Sequence, residues 1–254
     1  MNVLTWAFAK KPRPQPAVRP GTRTYAIGDI HGRRDLLERL LETIAGDIAA
    51  SAGDARCTIV YLGDYVDRGP ESRGVLDVVV RHALDHVETV YLLGNHEQSL
   101  LGFLDKPETG ASWLYYGGDA TLASYGIAVD PMAPRTKELL TGFAQALKLA
   151  MPAEHLAFLQ NLSLSYENGD YLFVHAGIDP KRPLDKQDKQ DLIWIRDGFT
   201  QSAKFHGKVV VHGHTIAAEP VVKPNRIGID TGAYVSGKLT CLVLEGSERR
   251  FLST

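Results

Sequence analysis

Asp29 and His31, Asp64, Asn95, His175 and His214 each follow a short apolar run and stand in a glycine-marked turn: G-D-I-H-G, G-D-Y-V-D-R-G, G-N-H-E, H-A-G and H-G-H-T. Taken one at a time, these residues have ordinary explanations. An Asp or Asn can cap the helix that follows it, a histidine at a strand end is commonly just hydrogen-bonded, and Tyr61 to Pro70 reads as an Asp-rich turn closed by Gly69 and Pro70. Their joint occurrence, with glycines that let backbones approach closely, points instead to one shared site. Oxygen and nitrogen donors without thiolate suit Mn, Fe, Zn or Co. Asp64 and Asp67 also need an answering charge or a metal once water is removed, and Arg68 supplies only part of it.

Convergence requires elements that aim these turns at one place. Thr24–Ile27 is a compact strand, and Leu36, Leu37, Leu40, Leu41, Ile44 and Ile48 then form a stripe at helical spacing. The plan repeats with a strand at 57–62 and a helix at 72–84, and again with a strand at 87–93 and a helix at 98–104. Three strand–turn–helix units in series predict neighbouring parallel strands whose carboxyl ends share one rim, where open α/β sheets place their ligands. That geometry brings Asp29, His31, Asp64 and Asn95 together. The pattern changes over 105–165, where a loop-like stretch around Trp113, Tyr115, Tyr116 and Gly117-Gly118 precedes helices at 136–149 and 153–159. This region reads as a mostly helical insert that shapes a substrate cleft, with His155 as an ordinary surface or packing residue. Strands at 171–174, 208–211, 226–229 and 238–244 complete a single domain over 24–254.

Composition narrows the setting. A net charge of -2 over 254 residues, with both signs mixed, gives no reason to expect a nucleic acid or a membrane as partner. Cys57 and Cys241 lie in apolar strand-like runs, which reads as packing in a reducing compartment and places the protein in the cytoplasm. Residues 1–23 carry Lys10, Lys11, Arg13, Arg19 and Arg23 with no acid, and read as a flexible basic, Pro-rich tail. The apolar Val3–Ala9 precedes those charges and is too short for an export signal.

The five motifs, in this order from Gly28 to Thr215, resemble the signature of the calcineurin-like metallophosphoesterases, and more narrowly the phosphoprotein phosphatase branch with its small bacterial and phage serine/threonine phosphatases. The resemblance implies an α/β fold of two packed mixed sheets flanked by helices. It also implies two divalent transition-metal ions, Mn2+ first with Fe or Zn as alternatives, held by Asp29 and His31, by a bridging Asp64, and by Asn95, His175 and His214. His212 is left beside the site, and Ile216 stands where the wider superfamily often has a further histidine. Arg68, Arg196 and Asn95 would contact phosphate, and His96, held by Asp67, would protonate the leaving oxygen. The activity so implied is attack on a phosphomonoester by a hydroxide between the metals, with a phosphorylated protein or peptide as substrate. Symmetrical dinucleoside tetraphosphate hydrolysis ranks second, because the similar tetraphosphatases tend to have alanine where Asp67 stands and G-N-H-D where this chain has Glu97. A binding module with a degenerate site would have lost ligands, and none is missing. The motifs do not fix an oligomeric state.

Overall fold

The computed structural model describes residues 15–81, 84 and 86–254. The first half runs β1 (Thr22–Ile27), α1 (Arg34–Ser51), β2 (Arg56–Tyr61), α2 (Ser72–Arg81), β3 (Glu88–Tyr91) and α3 (Asn95–Asp105). β1, β2 and β3 are parallel neighbours, with Ile27 opposite Tyr61 and Tyr61 opposite Tyr91 at their carboxyl ends. Side chains alternate across these strands, as the pleat demands. Tyr25, Ile27, Ile59 and Tyr61 face α1 and α2 and pack on Leu37, Leu40, Ile44, Val75 and Leu76, while Ala26, Val60 and Leu62 face the other way.

What they face is a second sheet, built from β4 (Ser165–Asn168), β5 (Tyr171–Val174), β6 (Val209–His212), β7 (Val221–Val222) and β8 (Arg226–Gly228) in the order β4-β5-β6-β8-β7. Tyr171, Phe173, Val209, Val211 and Ile227 fill the space between the sheets. The outer face of this sheet packs Leu172, Val174 and Val210 on Ile178, Leu192, Ile193 and Phe199. The chain then returns through β9 (Thr240–Glu245), antiparallel to β1, and ends on β10 (Glu248–Ser253). Helices thus cover both outer faces of two packed mixed sheets, the arrangement that the resemblance implies. β5, β6 and β8 are parallel to one another, so the second sheet also has one rim of carboxyl ends.

Three stretches differ from the sequence reading. The segment read as loop-like around Trp113 is helical: α4 (Gly110–Trp113), a single π turn over Leu114–Gly118 in which Gly117 has φ 105°, and α5 (Asp119–Ser124). Aromatic and glycine content hid it. It is followed by α6 (Lys137–Ala150) and α7 (Ala153–Gln160). β10 was not anticipated, because E-R-R-F-L-S has too little apolar alternation and gains its place only by pairing at a sheet edge.

The third correction concerns residues 1–23, read as a flexible tail. Residues 1–14 lie outside the described residues, but from residue 17 the chain is tied down. The Ala17 amide donates to Asp170 Oδ2 at 3.0 Å, the Val18 amide to the Gly246 carbonyl at 2.9 Å and the Arg19 amide to Asn168 Oδ1 at 3.1 Å. Arg23 is buried and paired with Glu245 and Asp47. Its acidic partners are remote in sequence, which is why the run looked unbalanced. Among the described residues no helix is long and apolar enough to cross a membrane.

Candidate metal and phosphate site

The carboxyl ends of both sheets open onto one rim, and the polar turns meet there. Asp64, just beyond β2, is central. Its Oδ2 lies 3.5 Å from His31 Nε2, 3.4 Å from His175 Nε2 and 3.9 Å from His96 Nε2. Asn95 Oδ1 is 3.0 Å from His175 Nε2, and the His175 and His214 rings are 5.0 Å apart. Two trios, His31–Asp64–His96 and Asp64–His175–His214, each have their donor atoms within 4.8 Å of one another, and Asp64 belongs to both. Asp29 is in neither trio; both its oxygens accept the His214 amide, at 3.0 and 3.2 Å. His212 is turned away, with Nδ1 on the Gly213 carbonyl and Nε2 accepting from Arg226.

The backbone has been bent to achieve this. His31, Asp64, Asp67, Arg68 and His214 all have positive φ, between 46° and 72°, and His86 is the sixth such non-glycine among the described residues. Each costs on the order of 1–3 kcal/mol and persists only where surrounding contacts enforce it. Glu97 is the main enforcer. Its Oε2 accepts the amides of Asp64 and Gly94 at 2.9 and 3.0 Å, and its Oε1 those of Tyr65 and Val66 at 2.7 and 3.2 Å. One buried carboxylate therefore clamps the 64–66 turn onto the start of α3. Burial first, and Asp64 second, push its pKa up to about 7. Gly94 is needed for the same approach, since a Cβ there would lie 2.1 Å from Asp64 Oδ1. Gly94→Ala is expected to cost about 1–3 kcal/mol by overpacking, read as a lowered midpoint in thermal unfolding, and to weaken metal uptake with it.

Protonation suits the rim to cations. His31 Nδ1 is 2.9 Å from the Val66 carbonyl and His175 Nδ1 2.8 Å from that of Leu62. With those nitrogens donating, Nε2 of each ring is turned inward, the arrangement usual for a metal-binding imidazole. Burial lowers the pKa of His31 to about 3 and, with His175 adding to it, that of His214 to about 2, so both are neutral. Burial also opposes charge on His175, but Asp64 outweighs it and carries that pKa up to about 10. Asp29 and Asp230 are buried near each other, and burial first and Asp230 second raise the pKa of Asp29. Asp29, Asp64 and Asp230 crowd one another beside the neutral rings of His31 and His214, and both Asp230 and Asp64 add to the rise in the Asp29 pKa, a repulsion that a cation would relieve. His214 Nε2 is buried without a hydrogen-bond partner, as a nitrogen awaiting a cation would be. The residues present therefore fit a divalent metal pair, with one qualification in the geometry: His31 Nε2 now accepts from Arg68 Nη1 at 3.1 Å and would exchange that bond for the ion.

Beside this cradle stands an acid–base pair. His96 Nδ1 is 2.7 Å from Asp67 Oδ2. Asp67, fully buried, is further held by the Trp113 indole N–H at 2.9 Å and the Thr121 hydroxyl at 2.6 Å. Burial works against a charged His96 ring, but Asp64 and Asp67 outweigh it and raise its pKa. The Arg68 guanidinium lies 5.0 Å from the centre of the Tyr234 ring, and Arg196, exposed, donates to the His214 carbonyl at 3.1 Å. A cleft of about 590 Å³ opens over this face, lined by Arg68, Asn95, His96 and Arg196 among others. The sequence reading missed Glu97 as the clamp, Asp230 and Tyr234 at the rim, and Trp113 and Thr121 as holders of Asp67. For the last two the only signal was an aromatic and polar stretch in the insert.

The family model described as Calcineurin-like phosphoesterase matches residues 22–237. The chain is 28% identical over 231 residues, 84% of its length and 85% of the relative's, to the asymmetrical bis(5'-nucleosyl)-tetraphosphatase PrpE of Oceanobacillus iheyensis. Among solved structures it is similar to one provisionally described as a diadenosine tetraphosphatase, at TM-score 0.60 and 23% identity over 94% of this chain and 98% of that one. It is also similar to a cold-active protein tyrosine phosphatase, at TM-score 0.61 and 19% identity over 94% and 81%. At these identities the two structures speak to the fold alone.

Proposed function

The chain belongs to the calcineurin-like phosphoesterase family, and on that premise we propose that it is a metal-dependent hydrolase of dinucleoside tetraphosphates that cuts them asymmetrically, into a nucleoside triphosphate and a nucleoside monophosphate. The observation that carries this reading is the name borne by a curated relative that aligns over most of both chains, together with a cleft that sets two arginines beside the candidate metal cradle. Asp67 and Glu97 on their own rank tetraphosphate hydrolysis second, and as symmetrical cleavage. The relative's name favours it over phosphoprotein hydrolysis and favours the asymmetrical cut.

Asp29, His31, Asp64, Asn95, His175 and His214 would hold two divalent cations, manganese being the ion we put first. Such a pair supplies charge to phosphate oxygens and makes water nucleophilic near neutral pH. The remaining work falls to the protein. Arg68 and Arg196 present planar forks suited to phosphate oxygens, and Asn95 offers its amide N–H beside them. His96 delivers a proton from Nε2 to the departing phosphate oxygen, while Asp67 fixes the ring through Nδ1 and balances the charge it carries. Trp113 and Thr121 hold Asp67 in turn, so the proton donor rests on two layers of buried contacts.

Phosphoprotein hydrolysis is the second reading. The Asp67–His96 contact at 2.7 Å favours it, because protonation matters most for a poor alkoxide leaving group. With manganese present, diadenosine tetraphosphate is expected to give a higher kcat/KM than phosphoserine, phosphothreonine or phosphotyrosine peptides, with ATP and AMP as products. A panel dominated by a phosphopeptide would transfer the assignment to the second reading.

A further inference from the structure

Among the described residues the exposed aromatic side chains are Tyr115, Tyr116, Trp194 and Phe251. Two of these, Tyr116 at 57% exposure and Trp194 at 37%, line the cleft that also contains Arg68, His96 and Arg196. Tyr115 stands next to Tyr116, their ring centroids 5.2 Å apart. The two cleft aromatics come from unrelated parts of the chain. Tyr116 sits on the π turn Leu114–Gly118, and Trp194 ends the short helix Lys189–Trp194. Trp194 is also oriented, since its indole N–H donates to Gln98 Oε1 at 2.6 Å from the first turns of α3. Large aromatic surface left in water beside phosphate-binding arginines is unspent binding capacity, and a heterocycle attached to a phosphate is the ligand that would use both.

We propose that Trp194, positioned by Gln98, and Tyr116 form an aromatic rim that receives one nucleobase of the substrate by stacking, while Arg68 and Arg196 take the phosphate attached to it. This rests on the reading of the site as a nucleotide phosphohydrolase, and it names the feature that would make the site prefer nucleotides to other phosphoesters. A cleft of about 590 Å³ is of the size that encloses a ligand of nucleotide dimensions. Base stacking on an aromatic side chain changes affinity by about 5- to 150-fold and tolerates any base, so the rim selects for a base and discriminates weakly among bases.

The test is equilibrium binding, by calorimetry on manganese-loaded full-length protein, of AMP against ribose 5-phosphate, which carries the phosphate without the base. The wild type is expected to bind AMP on the order of 10-fold more tightly. Trp194→Ala should erase that preference and leave ribose 5-phosphate binding unchanged, and Trp194→Phe should retain most of it. Tyr116→Ala gives a second, independent reading, and thermal unfolding establishes that each variant is folded. Equal affinity of the wild type for the two ligands would overturn the rim, as would a preference that survives in both alanine variants. Dinucleotide cleavage plays no part in this readout. A protein that prefers AMP but does not cut the dinucleotide keeps the rim and loses the proposed function; one that cuts it without preferring AMP does the reverse.

Discussion

Asp64→Asn is expected to lower kcat/KM on diadenosine tetraphosphate by about 10³-fold or more and to leave the purified protein short of metal by elemental analysis, with its fold intact. The substitution keeps size and shape, and asparagine tolerates the positive φ of 52° at this position as aspartate does. What it removes is the one negative charge within 3.5 Å of both His31 and His175. Asp64 is the only residue common to both candidate trios, so its loss should weaken both halves of the cradle at once. Histidines nearby hold its carboxyl well below the usual range despite burial, so it is ionised and available at neutral pH. Normal metal content with near-normal turnover in this variant would mean that the cations, if any, are held elsewhere.

His96→Asn separates proton delivery from metal binding. The expected result is a loss of about 10²- to 10⁴-fold in kcat with metal content unchanged, because His96 acts at the cleft side of Asp64 and its Nδ1 is committed to Asp67. Asp67→Asn should show much of the same loss, since Asp67 works through that ring and reaches no substrate atom itself. The size of the effect should track the leaving group: an aryl phosphate, whose phenolate departs with little help, should suffer far less than a substrate with a basic leaving oxygen. A uniform loss across substrates, accompanied by metal depletion, would instead make His96 a ligand, as its membership of the His31–Asp64–His96 trio also allows.

The central units were legible because their signals are local. Leu36, Leu37, Leu40, Leu41 and Ile44 declare the buried face of α1 by spacing alone, and all five are buried. G-D and G-N-H sit just after strands, so parallel pairing was enough to predict that Asp29, His31, Asp64 and Asn95 converge, whereas His175 and His214, on the second sheet, were joined to them by the recurrence of the motif and the family resemblance. What could not be read depends on contacts between distant segments. Trp113 and Thr121 reach Asp67 across 46 and 54 residues, and nothing in W-L-Y-Y-G-G names the carboxylate they serve. Arg23 looked like part of a loose basic tail because Glu245, its partner, lies 222 residues away. Glu97 was visible as the last letter of G-N-H-E, but its grip on four amides required the turn at 64–66 to exist first. The choice of phosphoester turned on two positions, Asp67 and Glu97, and in the structure both serve to build the site, Asp67 by holding His96 and Glu97 by clamping the 64–66 turn.

The measurement that bears most directly on the whole account is metal titration of the chelated protein, following diadenosine tetraphosphate hydrolysis and bound manganese together. Activity should be absent from the stripped protein, return as manganese is added, and level off at about two ions per chain. Undiminished hydrolysis by protein carrying no divalent metal would contradict it.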